Sequence, residues 1–185
     1  MAYNVIALIG EAGSGKDTLM RKLVEANPQL NEVVSYTTRP PREGEVNGVN
    51  YHFITGEEFG ELVVSGKMFE ASCFNDWFYG TGVDSLKEDK LNIGVFNPEG
   101  IESLMQHSNV NLTVIRVWAS DKNRLIRQLN REEFPDVDEI IRRYKADRED
   151  FDVLNFPHYI VDNNTMEGMQ ESLRLLNLVV KEYLG

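Results

Sequence analysis

The apolar and polar positions near the N-terminus predict a strand followed by a helix. Residues 5–9 form an uninterrupted apolar run, which is typical of a buried strand in a parallel sheet. Residues 18–25 place apolar side chains near one face and charged side chains on the other, which predicts an amphipathic helix that ends at Asn27-Pro28. The glycine-rich residues 10–15 connect the two elements directly.

The rest of the chain repeats this alternation of strands and helices. Apolar runs, some rich in β-branched residues, predict strands at residues 31–36, 51–54, 68–74, 92–96, 112–118 and 158–161. Amphipathic patterns predict helices at residues 57–65, 98–107, 121–133, 138–151 and 166–184. This rhythm favours an α/β fold with a parallel sheet flanked by helices. The aromatic and glycine-rich residues 77–82 fit packing and ligand contact equally well.

Composition narrows the class of protein. A chain of 185 residues suits one compact domain with a substantial core. The net charge of −11 argues against binding to nucleic acids or anionic membranes, since both require a basic surface. A single cysteine, Cys73, fits a reducing compartment. With no basic leader and no apolar stretch of about 20 residues, we expect a cytoplasmic protein.

A phosphate-binding motif fills the turn between the first strand and the first helix. It reads Gly10-Glu11-Ala12-Gly13-Ser14-Gly15-Lys16-Asp17-Thr18. Glycines allow successive backbone N–H groups to point at one anion, and the helix N-terminus favours negative charge. Lys16 supplies a positive charge for the β and γ phosphates of ATP. The hydroxyl that usually holds Mg²⁺ stands one place late, at Thr18.

The segment at residues 37–51 is polar and irregular. It contains two prolines and two glycines, and it offers the guanidinium groups of Arg39 and Arg42 together with the phenol of Tyr51. Such groups suit a phosphorylated ligand, although a surface loop could hold them without a function. Glu70 also has two interpretations: a solvent-facing strand position, or a carboxylate directed at a nucleobase.

Arginines are concentrated in the two helices predicted at residues 121–133 and 138–151. Six arginines fall within 25 residues of an otherwise acidic chain. They could pair with neighbouring carboxylates on a solvated surface. They could equally form a mobile arm that contacts a phosphoryl group during its transfer, because that reaction spreads negative charge over several oxygens. The residues alone favour neither interpretation.

One stretch resembles a known family closely. It reads Ser35-Tyr36-Thr37-Thr38-Arg39-Pro40-Pro41-Arg42, followed by Gly44-Glu45-Val46-Asn47-Gly48 and Tyr51-His52-Phe53. This stretch is similar to the monophosphate-binding signature of guanylate kinases, which are P-loop nucleoside monophosphate kinases, and the resemblance covers nearly the whole chain. It implies a P-loop kinase core with a parallel sheet flanked by helices, an inserted nucleoside-monophosphate (NMP) binding module and a helical lid. The implied segments are a core at 1–34, 82–122 and 151–185, a GMP-binding module at 35–81 and a lid at 123–150.

The resemblance also implies a reaction and its residues. The expected reaction is transfer of the ATP γ-phosphoryl group to GMP or dGMP with Mg²⁺, by a monomer or homodimer. ATP is expected at residues 10–18, with Thr18 on the metal. The residues expected to bind the acceptor are Ser35, Arg39, Arg42, Glu45, Tyr51, Glu70, Tyr79, Thr81 and Asn97. Those expected to be catalytic are Lys16, Arg39, Arg127, Arg131 and Arg143.

The guanine is expected at Glu70 and Thr81. A carboxylate can accept the N1–H and N2–H of guanine together, whereas adenine lacks this pair of donors. The chain departs from the family where two aspartates usually occur in a D-x-D-x-Q-G pattern, because it has Val95-Phe96-Asn97-Pro98-Glu99-Gly100 instead. Asn97 would then be a neutral substitute, and Glu99 or Asp17 would contact Mg²⁺-bound water.

The sequence also allows two alternative functions. The acceptor could be another purine nucleoside monophosphate, since the missing aspartates weaken the case for guanine. The chain could also be a guanylate-kinase-like module that binds partner peptides without catalysis. The intact phosphate-binding motif and the arginine pair of residues 39 and 42 argue against this second alternative.

Overall fold

The structure is a computed structural model that describes residues 2–74, 76–131 and 133–184. Its strands are β1 (Tyr3–Ile9), β2 (Asn31–Glu32), β3 (Tyr36–Thr37), β4 (His52–Phe53), β5 (Met68–Phe74), β6 (Trp77–Gly82), β7 (Leu91–Val95), β8 (Val110–Trp118) and β9 (Tyr159–Asp162). Its helices are α1 (Lys16–Ala26), α2 (Gly56–Val64), α3 (Pro98–Leu104), α4 (Asp121–Leu129), α5 (Val137–Asp152) and α6 (Met166–Leu184). None of these helices is both long and apolar enough to cross a membrane.

The core is a five-stranded parallel sheet with β1 at its centre, in the order β2-β7-β1-β8-β9. The apolar run of β1 is buried on both faces because helices cover both sides of the sheet. Ile6 and Leu8 pack with residues of α1 and α6, whereas Val5, Ala7 and Ile9 pack with residues of α3 and α5. The carboxyl ends of the parallel strands meet at one edge, which is where ligands bind in sheets of this kind.

A second sheet forms between β2 and β7 in sequence. It has the order β4-β3-β6-β5, and its strands β5 and β6 are an antiparallel pair. Helix α2 packs against this sheet through Phe59, which is buried and stacks on Phe78 with ring centroids 5.5 Å apart. A capping box at Thr55 and Glu58 defines the start of α2. Apart from Gly82 at the end of β6, this sheet and α2 lie within the predicted GMP-binding module.

Helices α4 and α5 follow β8 and overlap the predicted lid at 123–150, extending two residues beyond it at each end. The Ser120 and Asp136 side chains cap them by accepting hydrogen bonds from backbone N–H groups of the first turns. The division of the chain at residues 35–81 and 123–150 stays a prediction.

The structure differs from the sequence-based elements in several places. The strand predicted at 31–36 is two strands, because the Val33 amide bonds to Ile93 of the core sheet while the Ser35 carbonyl accepts from His52 of the second sheet. Residues 77–82, for which no element was predicted, form β6, whose glycines gave no strand signal. A side chain at Gly80 would place its Cβ 2.8 Å from the Glu70 carbonyl oxygen, so the strand requires glycine there. The helices predicted at 98–107 and 121–133 end earlier, at Leu104 and Leu129.

Candidate active site

The phosphate-binding motif forms a tight loop between β1 and α1. Gly13 and Gly15 have φ angles of 80° and 88°, in the left-handed region that favours glycine. A Cβ at Gly13 would also lie 2.5 Å from the Arg124 carbonyl oxygen. Helix α1 begins at Lys16 without a side-chain cap, so its first N–H groups are available to an anion.

A cleft of about 450 Å³ opens between this loop, the second sheet and helix α5. The cleft-lining residues that the sequence predicted for ATP are Gly10, Ala12, Gly13, Lys16, Asp17 and Thr18. Those predicted for the acceptor are Ser35, Arg39, Arg42, Glu45, Tyr51, Glu70, Tyr79 and Asn97. Of the predicted lid arginines, Arg131 and Arg143 line the cleft. Residues far apart in sequence therefore meet at one cavity.

Several arginines line the cleft. The Arg39 guanidinium donates two hydrogen bonds to Glu45, at 2.9 and 3.0 Å, and the Arg42 backbone N–H donates a third at 2.7 Å. Burial favours the neutral form of Glu45, but these donors outweigh it and hold the pKa of Glu45 below its usual value. Glu45 thus fixes the position of Arg39 before any ligand arrives. Arg131 approaches the same carboxylate, with its Nη2 3.9 Å from Oε1.

Arg39 is paired with Glu45, whereas Arg42 is affected mainly by burial and by neighbouring positive charges. Burial, together with the positive charges of Arg143, Arg39 and Arg131, lowers the pKa of Arg42 to about 10. These four arginines come from three parts of the chain: Arg39 and Arg42 from the loop after β3, Arg131 from the residues that follow α4, and Arg143 from α5. Four mutually repelling guanidinium groups around one cavity are stabilised when a multiply charged anion binds between them.

Glu70, on β5, also lines the cleft. It is 6 % exposed, and its Oε1 accepts a hydrogen bond of 2.8 Å from the Thr81 hydroxyl. Among the described residues, none bonds to its other oxygen, Oε2. Burial raises the pKa of Glu70 to about 7, and the Thr81 hydrogen bonds only partly oppose this effect. A buried carboxylate with one free oxygen is suited to accept hydrogen bonds from a ligand.

Asn97 is engaged with its neighbours. Its Oδ1 caps α3 by accepting from the Gly100 N–H at 2.7 Å, and its Nδ2 donates to the Ser72 hydroxyl at 2.9 Å. Ser72 lines the cleft two residues beyond Glu70 on the same face of β5, and is 5 % exposed. The neutral pair of Asn97 and Ser72 therefore forms the wall next to Glu70. Sequence reasoning missed Ser72, although strand alternation from Glu70 could have indicated it.

Other predicted residues lie beside the cleft. Thr81 reaches it only through Glu70, and Glu99 accepts from the Cys73 N–H at 3.0 Å, which ties α3 to β5. Arg127 donates to the carbonyl oxygens of Gly13 and Ser14, both at 3.2 Å. These contacts place Arg127 behind the phosphate-binding loop, outside the cleft that Arg131 and Arg143 line.

A second cavity of about 400 Å³ opens on that side of the loop. Its lining includes Gly15, Thr18, Asn123, Ile126, Arg127 and residues 163–166. Thr18 lines both cavities, so they meet at the first turn of α1. Sequence reasoning found only Arg127 and the loop residues here, because the asparagines carry no recognisable motif.

Comparison with known proteins agrees with this geometry. The family model described as "Guanylate kinase" matches residues 2–178. The chain belongs to the guanylate kinase family. Its membership confirms the resemblance predicted from the sequence, and the parallel core sheet confirms the predicted fold class.

Individual relatives of this guanylate kinase family member are bacterial. A guanylate kinase of Campylobacter jejuni (strain RM1221) is 27% identical over 182 residues, which cover 96% of this chain and 89% of that protein. One of Nostoc sp. is 48% identical over 81 residues, which cover 44% of this chain and 41% of that protein. A crystal structure of guanylate kinase from Anaplasma phagocytophilum shares the fold, with a TM-score of 0.70 and 20% identity over 99% of this chain and 87% of that chain.

Proposed function

We propose that this chain transfers the γ-phosphoryl group of ATP to GMP or dGMP, giving the nucleoside diphosphate. The observation that supports this most is the arrangement of the larger cleft. It is lined by the phosphate-binding loop, by Arg39, Arg42, Arg131 and Arg143, and by a buried carboxylate whose Oε2 has no bonding partner among the described residues. A nucleoside monophosphate has a matching distribution of groups, with an anionic phosphate and a base that donates hydrogen bonds.

The phosphate end would orient both reacting groups. Arg39 and Arg42 bind the monophosphate, and Lys16 with the loop amides binds the β and γ phosphates of ATP. Arg131 and Arg143 contact the transferred group, where charge is spread over its equatorial oxygens. Positioning and charge stabilisation of this kind account for most of the catalysis in phosphoryl transfer.

The base end would select guanine. Ionised Glu70 accepts the N1–H and N2–H of guanine, while Thr81 holds the carboxylate in place through Oε1. Asn97 and Ser72 provide neutral hydrogen-bonding groups where the family usually has a carboxylate. A site with one charged acceptor still discriminates against adenine, since AMP would leave that acceptor without a donor.

ATP would span the two cavities. The base and ribose occupy the smaller cavity beside Arg127, and the phosphates pass Thr18 into the larger one. Mg²⁺ would be held by the Thr18 hydroxyl and by phosphate oxygens, with Asp17 on a bound water. Both side chains are exposed at the cleft, and this donor set fits a cation that keeps several waters and needs one or two protein ligands. The ion would neutralise phosphate charge during the transfer.

The test is a coupled turnover assay with ATP and Mg²⁺ across GMP, dGMP, IMP, AMP and CMP. We expect the highest kcat/KM for GMP or dGMP and a strong preference over AMP. A higher value for AMP would indicate that another purine is the acceptor. A complete lack of turnover with all five acceptors, together with nucleotide-independent binding of peptides, would favour the non-catalytic module.

A further inference from the structure

One carboxylate of the lid helices reaches the phosphate-binding loop. Asp147, on α5, is 2 % exposed, and its Oδ2 accepts a hydrogen bond of 2.6 Å from the Ala12 N–H. The contact joins residues 135 positions apart in the chain. Asp147 also lines the cleft that we assign to the substrates.

Both backbone groups of Ala12, its N–H and its carbonyl oxygen, form hydrogen bonds with side chains of α4 and α5. Gln128, on α4, donates to the Ala12 carbonyl oxygen at 3.3 Å, while Asp147 binds the N–H of the same residue. Helices α4 and α5 therefore both bond to Ala12, while Arg127 of α4 bonds to Gly13 and Ser14. The loop conformation depends on the position of α5.

Asp147 lies among the positive charges that a bound nucleotide would use. Its Oδ2 is 3.8 Å from Nη1 of Arg124, which is itself buried. Burial raises the pKa of Asp147, whereas the Ala12 hydrogen bond and the charges of Lys16, Arg143 and Arg124 oppose that rise. Lys16 and Arg143 both line the cleft. An anion that enters here meets a resident carboxylate, and two anions that share the same cations repel each other strongly in a partly desolvated site.

We propose that Asp147 is a positioning residue that serves as the resident counter-anion of the empty phosphate-binding loop. Without nucleotide it keeps the Ala12 N–H paired and balances the charge of Lys16. The phosphates of the nucleotide replace it in this role, and α5 moves as its carboxylate is released. The inference rests on the proposed function only in assuming that the loop binds nucleoside polyphosphates.

The test is the affinity of the full-length protein for ADP, measured by calorimetry without an acceptor. Asp147→Asn keeps the size of the side chain and an oxygen that can accept from Ala12, but it removes the charge. A hydrogen bond to a neutral acceptor is weaker than one to a carboxylate, so less interaction is lost when ADP enters. We expect Asp147→Asn to bind ADP about fivefold more tightly than the unmodified chain. Glu149→Gln, an exposed position on α5, removes the same charge and should leave the affinity unchanged.

Steady-state kinetics provide a second readout, which a purely structural role would not reproduce. In Asp147→Asn the KM for ATP should fall while the KM for GMP stays the same. A folded Asp147→Asn variant with equal or weaker affinity for ADP would overturn the inference and leave the proposed function intact. Failure of the unmodified chain to bind ADP would overturn both. If Asp147→Asn does not fold, Asp147→Ala replaces it, and the measurement is its melting temperature with and without ADP. A smaller ADP-induced stabilisation than in the unmodified chain would count against the inference.

Discussion

The ionisation of Glu70 should make the choice of base depend on pH. Burial raises the pKa of this carboxyl group to about 7, so a change of pH around neutrality changes how far Glu70 is ionised. The ionised form accepts two hydrogen bonds from guanine. The protonated form has one donor and one acceptor, which is the complement of N1 and the N6 amino group of adenine. The two protonation states thus favour different purines.

The size of the effect follows from that pKa. At about pH 6 only about one carboxyl group in ten is ionised, and the ionised fraction changes about tenfold per pH unit below the pKa. GMP requires the ionised form and AMP the protonated form, so the ratio of their kcat/KM values should rise about tenfold for each pH unit between about pH 6 and about pH 8. The phosphate groups of the two substrates titrate alike, and their contribution cancels in the ratio.

The assay is coupled turnover with saturating ATP and Mg²⁺ and with limiting GMP or AMP at each pH. Glu70→Gln is the control, since its amide does not titrate in this range. In this variant the ratio of kcat/KM for GMP to kcat/KM for AMP should be low and independent of pH, because the substitution lowers kcat/KM more for GMP than for AMP. A constant GMP/AMP ratio in the unmodified chain from pH 6 to pH 8 would refute the assignment of Glu70 as the group that contacts the base.

Two further substitutions test the phosphate end. Lys16→Ala should lower kcat by about 100-fold or more, because it removes charge stabilisation. Its circular dichroism spectrum and melting temperature should stay close to those of the unmodified chain. A near-normal kcat would contradict the role of the loop. Arg42→Ala should raise the KM for GMP strongly and the KM for ATP little. Since neighbouring arginines repel Arg42 when no ligand is bound, the substitution should not lower the melting temperature. Equal effects on the KM values of both substrates would place Arg42 in a structural role.

The sequence predicted the elements and groups that local pattern determines. The run of β1, the phosphate-binding loop and helix α6 follow from apolar periodicity and from the special requirements of glycine. The sequence did not predict contacts that depend on distant packing. Asp147 lies in a charged helical pattern in which only the tertiary structure distinguishes it from its exposed neighbours. The same holds for Arg127: a spacing of four residues aligned it with Arg131, yet packing against the loop directs it to carbonyl oxygens behind the cleft.

Strand order in the core sheet also constrains how the chain can fold. Among the described strands, β2 pairs only with β7, and the paired residues Asn31 and Asn92 are 61 positions apart. A chain emerging from the ribosome therefore exposes β1 and β2 as separate strands until β7 has been synthesised, because β7 is the neighbour that joins them. Structure that forms early between β2 and β7 would shorten the effective loop between these strands and so reduce the entropic cost of closing it. Acceptor-site mutations that unfold this segment should then slow formation of the core sheet, even though they lie outside it.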